Sequence, residues 1–428
     1  MADANIRRRS GVRRVFPARP VTVWAVTRAV LLLWVFKVLL LPGPDVTGDI
    51  SVIYQGWFEV LRTGSFPLDD VTWQYPPAAA LAVLSPGLLP FLDYAPAFFV
   101  LAWLADAAVL VLLLRAGRSP GRQLTGAWVW VAGVPLLGPT AYARYDVMVT
   151  GVAVAALLVL RRHPRAAGAL AAFGALLKVW PLLLLAATPR GRPTRACWTA
   201  AAVTTAVLAL LFASAMPGAF AFLGFQRDRG TEVESLGSLV FHVARHFGWD
   251  GRVLLNYGSV EFLGPYVTEV SRGALGLTVL AFGWMLLWRL RAVEFTPNTA
   301  CDGAFAAVLL FTTTSRVISP QYMIWLVGLA AVCLSLRGSR QGLPAVLVLA
   351  ATTTTLLEFP IWFSHVVASD PLGIALLALR NGLLVAATVV CCRRLWRQTV
   401  TEPGLRSAAV GHSASGHVPG QASEPLPR

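Results

Sequence analysis

Apolar runs follow one another along almost the whole of this sequence, separated by short loops rich in arginine. An α-helix needs about 20 apolar residues to cross a bilayer, and many of the runs approach that length. Soluble domains carry about 25% charged residues; here 13% are charged and 56% hydrophobic. So little polar surface cannot cover a globule in water. A transmembrane β-barrel would alternate apolar and polar residues in segments of roughly ten, and the runs show no such alternation. The expected class is an all-α, polytopic integral membrane protein with roughly eleven to thirteen membrane segments.

The net charge of +15 invites a nucleic-acid reading, but the arginines cluster in loops between apolar runs, as topology signals do. No basic face or recognition module is present. Five cysteines lie in or beside apolar runs without a Cys-x-x-Cys pair, so neither zinc nor a disulfide framework is indicated. No Walker A loop and no Gly-x-Gly-x-x-Gly opens a helix. No cofactor and no metal is expected.

Residues 1–20 are polar and basic, which assigns the N-terminus to the cytoplasm. The membrane domain then runs over 21–395, and a Gly/Ser/Pro/His-rich tail, 396–428, is expected to be disordered on the cytoplasmic side. Two long polar stretches, about 42–76 and 215–270, read as large outer loops. In the first, apolar residues at helical spacing over 50–62 predict a short amphipathic helix on the membrane surface. The basic loops at 115–122 and 161–165 both belong in the cytoplasm, so 77–92, broken by Pro86 and Pro90, is expected to re-enter rather than cross. Residues 166–187 read as two short segments meeting at Lys178-Val179-Trp180-Pro181.

Several polar residues stand where chemistry is plausible. Asp49 opens the first outer loop; it is either a general base or a helix cap at Ile50. Tyr75-Pro76-Pro77 either sets an aromatic ring against a ligand or starts a helix. Arg144 and Asp146 are either a phosphate clamp or a local ion pair. Lys178 is an intramembrane charge, either a phosphate contact or a snorkelling lysine. Arg316, with Gln321 and Tyr322, forms a polar group at an outer turn, and His365 lies in a later one. Asp69 and Asp70 read as solvated loop acids. Asp106 and Glu358 lie inside spans and read as clamps between helices.

The Gly48-Asp49 loop, Tyr75-Pro76-Pro77, Lys178-Val-Trp-Pro181 and Arg316-Val-Ile-Ser-Pro-Gln-Tyr-Met-Ile-Trp325 occur in that order. Over about residues 20–395 this set resembles bacterial GT-C glycosyltransferases of the polyprenyl-phosphate-mannose-dependent α-1,2-mannosyltransferase type. The resemblance implies a membrane enzyme with its site at the outer face, a polyprenyl-phosphate sugar donor, a glycolipid or glycan acceptor and inversion at the transferred carbon. Asp49 matches the acid that serves as base in that superfamily. Ala143-Arg144-Tyr145-Asp146 stands where many members have a Gly-Gln-x-Asn-like opening, and Lys178-Val179-Trp180-Pro181 where many have Lys-Pro. The rival reading is a transporter or lipid flippase, in which Asp106, Lys178 and Glu358 would line a path. No internal repeat of the kind such proteins carry is visible.

Overall fold

The computed structural model describes residues 18–227 and 229–402. The basic segment ahead of Ala18 and the tail beyond Glu402 lie outside the described residues. The first helix, α1, spans Ala18–Val35. The outer loop follows it, with a wide helical turn at Asp49–Tyr54 running into α2, Gln55–Leu61. This is the amphipathic element expected over 50–62: Ile50, Tyr54, Trp57 and Leu61 are buried at helical spacing. Next come the six-residue α3, Ala79–Leu84, and the long α4, Tyr94–Gly117.

α1 and α4 run antiparallel, because Phe36 meets Phe99 while Arg28 meets Asp106. The stretch between them therefore begins and ends at one face of the bundle. Residues 77–92 re-enter, and the parity of the basic loops is satisfied. α5 (Thr125–Leu136), α6 (Asp146–Val159) and α7 (Pro164–Leu177) follow. α7 stops at Lys178, whose backbone is extended. A tight helical stretch, Trp180–Ala187, descends from there to α8, Arg192–Ala215. The two short segments predicted around Lys178 are both present. Gly168 in α7 lets the α8 backbone approach so closely that a Cβ there would lie 2.1 Å from the Cys197 carbonyl oxygen.

The second outer segment holds α9 (Phe222–Arg227), α10 (Leu239–Ala244) and a three-stranded antiparallel sheet. Its strands are β1 (Thr231–Glu232), β2 (Arg252–Asn256) and β3 (Ser259–Leu263), in the order β1-β3-β2. The fold is all-α as expected apart from this small sheet, which was not anticipated: two of its strands pair through a turn at Tyr257-Gly258, and the third is two residues long. The bundle is completed by α11 (Val267–Arg291), α12 (Thr299–Thr314), α13 (Tyr322–Leu334) and α14 (Gly342–Leu356). α15 (Phe363–Ala368) is a short helix where a plain turn was expected around Ser364-His365. α16 (Pro371–Trp396) is capped by Asp370, whose carboxylate accepts from the Gly373 N–H at 3.0 Å, with Pro371 at the first position.

Six helices among the described residues are long and apolar enough to cross a membrane, and six more are apolar but shorter. The arginine-bearing loops gather on one face. Arg337 donates to the Arg122 carbonyl at 3.1 Å, Arg190 to the Leu290 carbonyl at 3.1 Å, and Arg340 pairs with Glu402 at 2.8 Å. Trp288 reaches Thr399 at 2.9 Å, and Cys197 reaches the Pro164 carbonyl at 3.1 Å. Both ends of the described chain lie at this face. The two outer segments lie at the other.

Two buried acids act as clamps. Asp106 accepts from the Arg28 guanidinium (2.7 Å), the Trp24 and Trp130 indoles (3.1 and 2.6 Å) and the Tyr142 hydroxyl (2.5 Å). Glu358 receives both Nε and Nη2 of Arg380, at 3.0 and 2.9 Å. These charges pair with one another, Arg28 of α1 with Asp106 of α4, and Arg380 of α16 with Glu358 in the turn after α14. Asp106→Asn is expected to lower stability by about 3–5 kcal/mol, since it leaves Arg28 buried without its charge. Thermal unfolding in detergent measures this; an unchanged melting temperature would refute the clamp.

The outer layer has its own small core of Val233, Phe241, Phe262, Val267 and Val366. His242 is buried beside it, bonded to Ser369 Oγ and the Val233 carbonyl, each at 2.8 Å. Burial depresses its pKa to about 4. The unfolded chain takes up that proton near pH 6.5, so stability is full above 6.5 and falls as the pH drops towards 4. The loss is on the order of 3 kcal/mol. His242→Gln should flatten this part of the stability–pH curve.

Candidate active site

Below the outer segments lies a cavity of about 430 Å³. Asp49, Tyr75, Lys178, Arg316, Gln321 and Tyr322, spread over more than 270 positions of sequence, all line it. Arg144 and Asp146 stand immediately behind the wall and hold two of these residues in place. Arg144 pairs with the Asp49 carboxylate, and Lys178 Nζ lies 2.7 Å from Asp146 Oδ1. Asp49 is the more open member, its side chain 40% exposed against 2% for Asp146.

Each group owes its place to local structure. Asp49 is the first residue of the outer helical turn and projects inwards beside buried Ile50. Asp146 opens α6, where the helix N-terminus favours an anion. Lys178 is freed from α7 by the break before Pro181. The Pro76-Pro77 turn is tied to the same place, since the Ala78 N–H donates to the Leu176 carbonyl at 2.9 Å. Tyr75, Tyr145, Tyr322 and Trp325 surround the Lys178 ammonium at 5.1–5.6 Å from their ring centroids. Trp325 also donates to Asp146 Oδ1 at 2.6 Å. Burial, with Asp146 close by, pushes the Tyr75 hydroxyl up to about 12, so it stays protonated and able to donate. Burial opposes the Arg144 charge, but Asp49, Tyr54, Tyr75 and Asp146 together outweigh it and the Arg144 pKa is raised.

Other lining residues escaped the sequence reading. Arg229, from the outer segment, lines the cavity and pairs with Glu261 at 3.6 Å. Asp70, read as a solvated acid, accepts from the Trp57 indole at 2.7 Å and from the Thr72 N–H at 2.9 Å, and so sets a ring of the wall. Glu232 holds the loop that carries Arg316, accepting from the Ile318 N–H at 2.7 Å and the Ser319 hydroxyl at 2.8 Å. Burial raises its pKa. Nothing in spacing along the chain could have revealed these pairings. His365 is not brought to the cavity; its ring pairs with Asp370 at the start of α16.

The cavity is sunk towards the membrane interior. α5, α6, α7 and α13 have 12, 14, 14 and 13 residues, so they span about 18–21 Å, well under the ~30 Å hydrocarbon core. All four have one end at the arginine-rich face, so the other stops short of the opposite surface. On one side the cavity is closed by Leu275 and Thr278 of α11 and by Phe311 of α12. Leu275 is half exposed on a helix with little of its surface buried.

The model for glycosyltransferase family 87 matches residues 73–320, more than half of the sequence. The chain belongs to glycosyltransferase family 87. The match takes in Tyr75, Arg144, Asp146, Lys178, Arg229 and Arg316; Asp49 lies upstream of it. Among solved structures, this family 87 glycosyltransferase is similar to ArnT from Cupriavidus metallidurans, crystallised with undecaprenyl phosphate. The two share 15% identity over 94% of this chain and 81% of that one, with a TM-score of 0.45. No curated protein matches it.

In this family 87 enzyme the Asp146–Lys178 pair is a buried ionic contact of the cavity wall, its side chains 2% and 12% exposed. A double-mutant cycle of Asp146→Asn and Lys178→Met, read by thermal unfolding, should give a coupling of about 1–3 kcal/mol. Additive effects would mean that the two side chains do not interact.

Proposed function

We propose that this glycosyltransferase moves a hexose, mannose first among the candidates, from a polyprenyl-phosphate donor to a hydroxyl of a cell-envelope glycolipid or glycan, with inversion. The observation that carries the proposal is that one membrane-sunk cavity has an open carboxylate, Asp49, and two arginines, Arg229 and Arg316, in its lining. The arginines also line an adjoining cavity of about 470 Å³ that Asp49 does not reach. That arrangement suits an in-line displacement with the base on one side of the sugar and the leaving group on the other.

In the proposed reaction Asp49 takes the acceptor O–H proton as the acceptor oxygen bonds to the anomeric carbon. The bond from that carbon to the donor phosphate breaks, and its electron pair leaves with polyprenyl phosphate. Arg316 and Arg229 hold the developing charge. Arg144 orients Asp49. Lys178 is paired with Asp146, and its first task is to fix the aromatic wall with Tyr75 and Tyr322 against the sugar. Gln321 offers an amide to a sugar hydroxyl. The polyprenyl chain lies along Leu275, Thr278 and Phe311 and passes between helices into the bilayer. His365 has no part in this scheme.

The arginine-rich face is assigned to the cytoplasm, which puts both termini inside and the cavity at the outer face. On this reading residues 21–395 are one catalytic membrane domain. The family match disfavours a transporter.

Membranes carrying wild type or Asp49→Asn, supplied with radiolabelled polyprenyl-phosphate mannose, test the scheme. The variant should lose about 10²–10⁴-fold of the transfer rate at equal expression. Full activity would remove Asp49 as base. Arg316→Gln should raise the donor KM and lower kcat together. If wild type transfers no mannose, donors carrying glucose and arabinose decide whether the sugar or the reaction class is wrong.

A further inference from the structure

Near the arginine-rich end of α11, well away from Leu275 and the active-site cavity, α11 and α16 enclose a crevice of about 430 Å³. Its wall is apolar: Trp284, Leu310 and Val389. Leu286, Leu287 and Leu290 on the same stretch of α11 are exposed, so the crevice opens sideways onto hydrocarbon rather than water. Two indoles frame it, Trp284 and Trp396, with ring centroids 6.2 Å apart. Indoles favour the depth where acyl chains give way to headgroups.

At the mouth stand Arg393 and Arg397. They are one helical turn apart, and both are exposed. Neighbouring arginines have protein partners: Arg394 donates to the Arg340 carbonyl, and Arg340 pairs with Glu402. Arg393 and Arg397 have no ion pair or side-chain hydrogen bond among the described residues. Like charges at this spacing repel each other on a helix. A second cavity, about 460 Å³, continues from Arg397 to Arg340 and Arg394, so the positive region extends beyond the apolar wall.

We propose that this crevice is a binding site for a bilayer phospholipid with an anionic headgroup. One acyl chain lies against Trp284 and Val389, and the phosphate bridges Arg393 and Arg397. The apolar wall selects a lipid over a soluble anion, because it faces hydrocarbon. The paired guanidiniums select an anionic headgroup over a zwitterionic one. The bound lipid would hold α11, a wall of the active-site cavity at its other end, against α16.

The test is native mass spectrometry of the full chain in detergent, titrated with phosphatidylglycerol, phosphatidylcholine and undecaprenyl phosphate. Wild type should retain phosphatidylglycerol more tightly than phosphatidylcholine. The double variant R393Q/R397Q should lose on the order of tenfold or more of that affinity, given about fivefold for each arginine near a phosphate. The charge-matched control R161Q/R162Q, on the same face but away from the crevice, should bind as wild type does. Equal loss in the control would reduce the effect to the general charge of the face. No loss in R393Q/R397Q, or no preference over phosphatidylcholine, would overturn the site. Loss of undecaprenyl phosphate binding alone would show the crevice to be a polyprenyl site instead.

Discussion

Arg144, Tyr145 and Asp146 are consecutive, and each reaches a different part of the cavity wall. Arg144 holds Asp49 of the outer turn. The Tyr145 hydroxyl donates to the Leu177 carbonyl at the end of α7, at 3.2 Å. Asp146 holds Lys178 just beyond it and takes the Trp325 indole from α13. Three separate elements are thus referenced to one bend between α5 and α6. Two ion pairs set back to back neutralise their own charges, which lets acids and bases line a cavity below the membrane surface without the cost of isolated buried ions.

The loop that presents Arg316 depends on a second buried network. Glu232 accepts from Ile318 and Ser319, while Arg380 donates to the Ile318 and Glu234 carbonyls at 3.3 and 2.8 Å and pairs with Glu358. The outer sheet is joined to it through β1, where the Glu232 N–H donates to the Arg316 carbonyl at 3.1 Å. The small sheet is therefore a bracket between the outer layer and the active-site loop. Its acids are buried by the bundle itself, so the outer segment cannot shift without exposing unpaired charge.

Membrane depth comes from helix length. Short helices rise from the arginine-rich face and end early, while α8, α11 and α16, of 24, 25 and 26 residues, are long enough to cross the whole slab. The difference leaves a basin in the bundle, roofed by the outer segments. On the proposed function, a lipid-linked donor would reach this basin from the side.

Much of this was legible in the residues. Apolar runs and arginine loops dictate spans and their common face, because a bilayer punishes every unpaired backbone group and every misplaced charge along the chain. The re-entrant 77–92 and the break at Lys178 follow from prolines, which act locally. Asp49, Tyr75, Lys178 and Arg316 stood out as polar residues in apolar surroundings. The sheet did not, since strands of two to five residues carry too little periodicity to register. Nor did the pairing of Asp146 with Lys178, the indole held by Asp70, the arrival of Arg229 or the departure of His365. Those depend on which helix ends meet, and that is decided by packing between segments far apart in sequence, where only the folded bundle brings opposite charges within hydrogen-bond reach.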